Sequence, residues 1–223
     1  MSDSGTWIEI VLLAMLAGFI GLRLVSVLGK RTGNEKPVGE PYRPGAPQIS
    51  TPGVGRIEAP ARGPVDLPSG TPADLRPALQ SVADADPAFD PAKFIVGAQA
   101  AYRMILEAFW AGDAAAMEGL VSDEVLAQFK RAIEQRADAG LTYANRLVRI
   151  NAAAITGAQM VGQMSEVTVR FDADIVAVTT NAAGNVVDGS MTDAAPTHDL
   201  WTFSHHVGTN DPNWLLIATD ADA

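Results

Sequence analysis

The sequence predicts an α+β domain, helices packed on a curved antiparallel sheet, preceded by one transmembrane helix and a disordered linker. Three observations carry that reading. An uncharged apolar run, IVLLAMLAGFIGL, occupies Ile10 to Leu22 near the N-terminus. Of the 14 prolines, 12 fall between Pro37 and Pro91. Beyond Asp90, apolar residues recur first at helical spacing and then in strict alternation. Helices followed by strands is an α+β order, not the alternating βαβ of a nucleotide-binding fold.

Composition narrows the function classes. A chain of 223 residues holds one ordinary domain with extensions. It has no Cys, which excludes disulfides, Cys-ligated zinc, iron–sulfur clusters and thiol catalysis. Three His leave little for a His-rich metal site. The net charge of −10 makes the chain a poor nucleic-acid binder, because neutralising phosphates takes clustered Lys and Arg. Neither a Gly-rich phosphate loop nor G-x-S-x-G occurs, so no cofactor is expected.

Residues 1–28 read as an anchor. Trp7 to Leu28 would span roughly 33 Å as a helix, enough for the hydrocarbon core of a bilayer. Trp7, Ile10, Leu13, Leu16, Phe19, Leu22, Leu24 and Leu28 form its apolar body, and Glu9 and Arg23 bracket the uncharged centre. A signal peptide would need a basic n-region, and Met1 to Gly5 has no basic residue. The positives follow the run instead, at Arg23, Lys30, Arg31 and Lys36. Positive-inside logic then places the N-terminus outside and the remaining chain in the cytoplasm.

Residues 29–89 read as a Pro/Gly-rich flexible linker. Large apolar residues are few and no periodicity is sustained, so the stretch cannot offset its ordering entropy. As a coil it would reach roughly 45 Å. Only a weak helical signal appears, around Leu75 to Val82.

Residues 90–223 read as the folded domain. Asp90-Pro91 is an N-cap followed by proline at the first helical position. Phe94, Ile95, Ala98, Ala101, Tyr102, Ile105, Leu106 and Phe109 continue a wide apolar stripe to Trp110, and Gly112 stops it. A short helix is expected over Ala114 to Val121. Ser122 caps a third helix, with Val125, Phe129 and Ile133 inside and Lys130, Arg131, Glu134 and Arg136 on the wet face. Leu147 to Met160 predicts a strand bent at Gly157. Val167, Val169, Phe171, Ala173, Ile175 and Ala177 alternate with polar residues as a half-buried strand. Asn181 to Asn185 predicts a hairpin turn. A strand ragged at Asp193 to Pro196 then aligns Trp201, Phe203, His205 and Val207 on one face. Trp214 to Thr219 is the last strand. A bent sheet wrapped by helices can enclose a conical pocket.

Three stretches carry a family resemblance. GKRTGNEKP (Gly29 to Pro37) follows the apolar run directly. FDPAKFIVGAQAAYRMILEAFWAGD (Phe89 to Asp113) and LVSDEVLAQF (Leu120 to Phe129) are the second and third blocks, and HDLWTFSHH with DPNWLLIAT closes the domain. Together they resemble bacterial proteins related to the Tim-forty-four import adaptor, and the pattern Trp201-x-Phe203 with Trp214 is the most specific part. The resemblance implies a nuclear-transport-factor-two-like cone with a hydrophobic pocket. It implies a membrane-anchored adaptor without enzyme activity. The mitochondrial relative tethers a DnaK-type chaperone to the import channel and contacts cardiolipin. One departure stands out: the family pattern calls for an Arg after Trp-x-Phe, and Ser204-His205-His206 stands here.

Phe94, Tyr102, Trp110, Trp201, Phe203 and His205 are therefore the candidate pocket or partner surface. The aromatic members also suit an ordinary core. His198, Asp199, His205 and His206 could form an acid–base group, yet neighbouring His on a strand point to opposite faces. Asp172 and Asp174 suit a solvated strand face better than a metal pair. From Lys93 onward there are 8 Lys and Arg against 16 Asp and Glu, a difference of −8, so anionic lipid repels the domain on average. The expectation is a single-pass inner-membrane adaptor whose cytoplasmic domain binds a protein partner: a DnaK-type chaperone, a client or a membrane-protein assembly factor. A lipid-binding or small-molecule-binding pocket is the alternative, with an isomerase or dehydratase behind it. A polar, titratable pocket would favour the enzyme.

Overall fold

The computed structural model describes residues 63–209, 211 and 213–221. The expected anchor, with Trp7, Ile10, Leu13, Leu16, Phe19, Leu22, Leu24 and Leu28, lies outside the described residues, as does the linker up to residue 62. Among the described residues no helix is long and apolar enough to cross a membrane.

The folded chain begins earlier than Asp90. A 3-10 turn at Ala73–Leu75 leads into α1, Arg76–Ala85, which has proline in its first turn. Leu79, Val82 and Ala83 fall at i, i+3 and i+4 and are all but completely buried. Upstream, Val65 is buried too; its N–H donates to the Gln80 side chain, and its carbonyl accepts from the Arg76 guanidinium. Residues 63–89 are thus not spacer. Three apolar residues on one helical face were enough to join the core, a signal too short to stand out among prolines.

Helix α2, Pro91–Ala111, is built as its caps dictate. Asp90 Oδ1 accepts from the N–H groups of Ala92 and Lys93, at 3.0 and 3.2 Å. Gly112 ends the helix at φ 75°, a left-handed conformation that glycine adopts without strain. The expected helix from Ala114 to Val121 shrinks to one 3-10 turn, Ala115–Met117. Glu118 is extended, Gly119 takes φ 78°, and the chain turns to lie along the last strand. There Leu216 donates its N–H to Leu120 and accepts from Ser122, both at 2.9 Å. Helix α3, Asp123–Asp138, starts at Ser122, whose hydroxyl accepts from the Val125 N–H.

Arg136 leaves the wet face assigned to it. It is buried, its guanidinium donates to the Phe109 carbonyl near the end of α2, and it lies 4.3 Å from the Tyr143 ring centre. A cation at a helix C-terminus and over an aromatic face is favourable on both counts. Burial lowers its pKa.

The sheet has five antiparallel strands and is not closed. They are β1 (Leu141–Tyr143), β2 (Arg146–Val161), β3 (Met164–Asn181), β4 (Val186–His206) and β5 (Leu215–Ala221). β3 is central: β1 and then β2 run along one side of it, β4 lies on the other, and β5 pairs with β4. Along β3 the buried and half-buried residues alternate from Ser165 to Ile175 as expected, and the register then slips. Val176 and Val178 are buried while Ala177 is exposed, against the expected alternation. The cause is on β4: Val176 pairs with Ala194 but Val178 with Gly189, so residues 190–193 bulge outward. Gly189 makes that jump possible at φ 82°, since a Cβ there would lie 2.0 Å from the Ala177 carbonyl oxygen.

One sheet face is core, with Val167, Val169, Phe171, Ala173, Trp201 and Phe203 packed against residues of all three helices. The other face is a polar ladder. Arg149 binds Asp174 at 2.7 Å, Arg170 and His198 bind Asp172, and Thr168 bonds Thr202. Its hydrogen bond to Arg149 holds the Asp174 carboxyl below the usual range. Asp172 and Asp174 therefore serve a solvated face, and no metal-ligating group occurs among the described residues.

Candidate functional site

The six candidate residues separate into three places. Tyr102 and Trp201 are sealed in the core. The Tyr102 ring stacks on Phe171 with centres 4.3 Å apart and touches Trp201 at 4.6 Å. Its hydroxyl donates to Asp199 Oδ2 at 2.6 Å. Burial and the Asp199 carboxylate push the Tyr102 pKa far above the phenol range, so the hydroxyl stays a donor. Burial likewise raises Asp199, against the lowering effect of its hydrogen bonds to Tyr102 and Thr197. Trp110 is buried at the opposite end of α2, beside a recess of about 260 Å³ that Tyr143 and Arg146 also line.

Phe94, Phe203 and His205 come together at an open groove of about 600 Å³. Phe94 meets Phe203 edge-on at 5.9 Å and Trp214 at 4.8 Å, and Phe89 closes the cluster against Phe94 and Trp214. Such aromatic contacts add about 0.5–1.5 kcal/mol each beyond the area they bury. Along α2 the wall is made of the small residues Gly97, Ala98 and Ala101, followed by Met104. Met104 is 46% exposed although apolar.

The polar end of the groove centres on His205. Its ring stacks on Trp214, its Nε2 lies 2.7 Å from the Asp211 carbonyl oxygen, and its Nδ1 lies 3.3 Å from Asp86 Oδ2. The last approach lacks hydrogen-bond alignment. Asp86 also accepts from the Ala88 N–H at 2.9 Å. His205 thus ties the end of α1 to the connection between β4 and β5. His206, next in sequence, points out to solvent, and His198 lies on the polar face with Asp172. The four residues of the suspected acid–base group are therefore dispersed.

The groove does carry titratable side chains: Asp86, Asp90, Lys93, Asp211 and His205. A polar, titratable lining is the feature expected to favour the enzyme alternative. Each group is engaged, however. Asp90 caps α2, Asp211 Oδ1 accepts from the Asn213 N–H, and Asp86 and His205 hold each other. Sequence reasoning missed Asp86 and Phe89, because they lay in the stretch read as linker. Trp214, which belongs to the same aromatic pattern as Trp201-x-Phe203 but is not among the six candidates, also lines the groove.

The Tim44-like domain family matches residues 75–221, well over half of the chain. This chain belongs to the Tim44-like domain family. The match begins at Leu75, the residue before α1, in accord with the early start of the folded region. No curated protein matches. Among solved structures, the intermembrane space region of the chloroplast protein ARC6 is 14% identical, with 58% of this chain and 92% of that one covered, at a TM-score of 0.40. A de novo designed β-sheet protein is 11% identical, with coverages of 59% and 88% and a TM-score of 0.29. A conserved protein from Planctomyces limnophilus is 13% identical, with coverages of 59% and 98% and a TM-score of 0.30. These are loose superpositions, and the family assignment rests on the sequence match.

Proposed function

We propose that the chain is a membrane-anchored adaptor whose groove beside α2 receives a protein partner. In this reading the Trp7–Leu28 run is a permanent single span of the inner membrane, and the folded domain works in the cytoplasm. The partner is a chaperone, a client or a membrane-protein assembly factor, and the system serves protein translocation or membrane-protein biogenesis. Tethering raises the local concentration of one partner near the other without chemistry. The observation that carries the proposal is the open groove lined by Phe89, Phe94, Phe203 and the half-exposed Trp214 in a domain of this family. The open sheet with helices on its apolar face also suits the nuclear-transport-factor-two-like cone that the resemblance implies.

Catalysis is the competing reading, and it would need a free acid or base. His205 donates from Nε2 to the Asp211 carbonyl, which leaves Nδ1 as its basic nitrogen; that atom is buried beside Asp86 Oδ2 and not presented to the groove, which argues against the role.

The test is crosslinking of the full-length protein in its native membrane, followed by identification of the adducts, repeated with Gly97→Leu. A Cβ at Gly97 meets nothing within 4 Å, so the leucine fills the groove without disturbing the core. Specific protein adducts lost in the variant support the adaptor; unchanged adducts, or none, overturn it. Digestion of the domain by protease added to intact spheroplasts would overturn the cytoplasmic placement.

A further inference from the structure

We propose that the occupant of the groove is a basic, apolar segment of a partner protein, a helix or strand that seats bulky apolar side chains on the aromatic floor and sets Lys or Arg against the acidic rim. This deepens the docking reading above and rests on it. The floor supplies the apolar half of the fit: Phe89, Phe94 and Phe203 are buried beneath the opening, Trp214 is half-exposed, and Met104 stands exposed on the α2 wall. A groove of about 600 Å³ holds several side chains at once.

The rim supplies the sign. Asp86, Asp90 and Asp211 line the groove, and among the described residues Lys93 is its only lysine or arginine. Lys93 offsets one of the three, with its ammonium 3.7 Å from Asp90 Oδ2, and the rim keeps a net negative sign. The wider field has the same sign: from Gly63 onward the chain has 9 Lys and Arg against 21 Asp and Glu, a difference of −12. A concave site lined by one charge within such a field attracts cations and rejects anions. A phospholipid headgroup or a fatty acid would bring a negative charge to these carboxylates, whereas a Lys or Arg beside an apolar anchor would bring the complementary sign.

Gly97 is the second feature that fits a bulky polypeptide segment. It lies in the middle of α2, where glycine costs about 1 kcal/mol relative to alanine, and no neighbour requires it, since a Cβ there meets nothing within 4 Å. Its bare backbone, followed by Ala98 and Ala101, lets an incoming segment approach the helix closely.

The experiment uses the full chain in zwitterionic nanodiscs and fluorescent peptides that share one Leu/Phe pattern and carry Lys, Gln or Glu at the remaining positions. The proposal expects the Lys peptide to bind about tenfold tighter than the Glu peptide, with Gln between, and the preference to shrink as salt rises. Asp90→Asn, which keeps the helix cap, together with Asp211→Asn should narrow the Lys-to-Glu ratio to about threefold or less. Lys93→Gln should widen it, and Gly97→Leu should abolish binding of every peptide. Equal affinity for the three peptides, a preference for Glu, binding untouched by Gly97→Leu, or no binding by any of them overturns the proposal. So does displacement of the Lys peptide by vesicles of anionic lipid, which would assign the groove to the membrane. Protein adducts in the native membrane alongside equal peptide affinities would leave the adaptor reading standing and sink only the basic segment.

Discussion

Helix α2 and strand β4 meet twice. At one meeting Tyr102 and Trp201 are closed over by Phe171, and the Tyr102 hydroxyl is satisfied by Asp199. Eight residues earlier along the helix, roughly 12 Å away, Phe94 meets Phe203 in the same manner, but the cluster opens into a groove. The residue types are alike, an aromatic on the helix and an aromatic on the strand, each with an acid nearby. What differs is the third wall. At the sealed end β3 contributes Phe171; beside Phe203 it contributes the smaller Val167, its cross-strand partner, and α2 offers Gly97, Ala98 and Ala101. Aromatic pairs alone do not decide between core and surface. The size of the residues facing them does.

The sharpest way to break the comparison is to cut into the sealed end. Tyr102→Ala should cost about 3–5 kcal/mol, the range for removing a fully buried aromatic, read by urea unfolding. A loss under 1 kcal/mol would mean that the two clusters are not different in kind. Leu79→Ala tests whether α1 belongs to the folded unit: about 2–4 kcal/mol is expected for a side chain with no exposure, and no change if α1 were spacer. Tyr102→Phe is milder, about 1–2 kcal/mol, because it leaves Asp199 without its phenolic donor.

Asp199→Asn separates the acids. Burial raises the Asp199 pKa in the folded chain, so the folded state holds the proton more tightly than the unfolded one. The stability this provides is full below the ordinary Asp range near 4 and is lost as pH rises through the raised value. An Asn still accepts from Tyr102 but has no charge to desolvate. Relative to the parent, Asp199→Asn should therefore be more stable at pH 7 than at pH 3.5, a difference read by unfolding at both values. A difference independent of pH would refute it. Gly97→Leu should have the smallest effect on stability, a gain of about 0.5–1 kcal/mol from helix propensity, while it blocks the open cluster. A clear destabilisation would show that Gly97 is packed and that the groove is not open there.

Much of this fold was legible in the sequence because its signals are local. Asp90-Pro91, Ser122 and Gly112 fixed the helix ends, and the alternation from Val167 to Ile175 fixed the buried face of β3. The misreadings have long-range causes. The α1 region looked like spacer because its burial depends on β2, distant in sequence. Arg136 went inside because the end of α2 offered it a carbonyl and β1 a ring, neither visible from α3. Ala177 turned outward because Gly189 allowed the neighbouring strand to skip. For the site, the aromatic pattern on β4 identified Phe203 and His205, but no local pattern could say that Trp201 would be sealed and Phe203 left at an opening. That depended on Phe171 and Gly97, which no local motif links.

A position scan tests the docking claim most directly. A photoreactive residue is placed in turn along α2 of the full-length protein in its own membrane: at 97, 101 and 104 on the groove, and at 103 and 107 outside it. The account predicts discrete protein adducts at the first three positions and none at the last two. Adducts at every exposed position alike, or only lipid adducts at 97, 101 and 104, would contradict it.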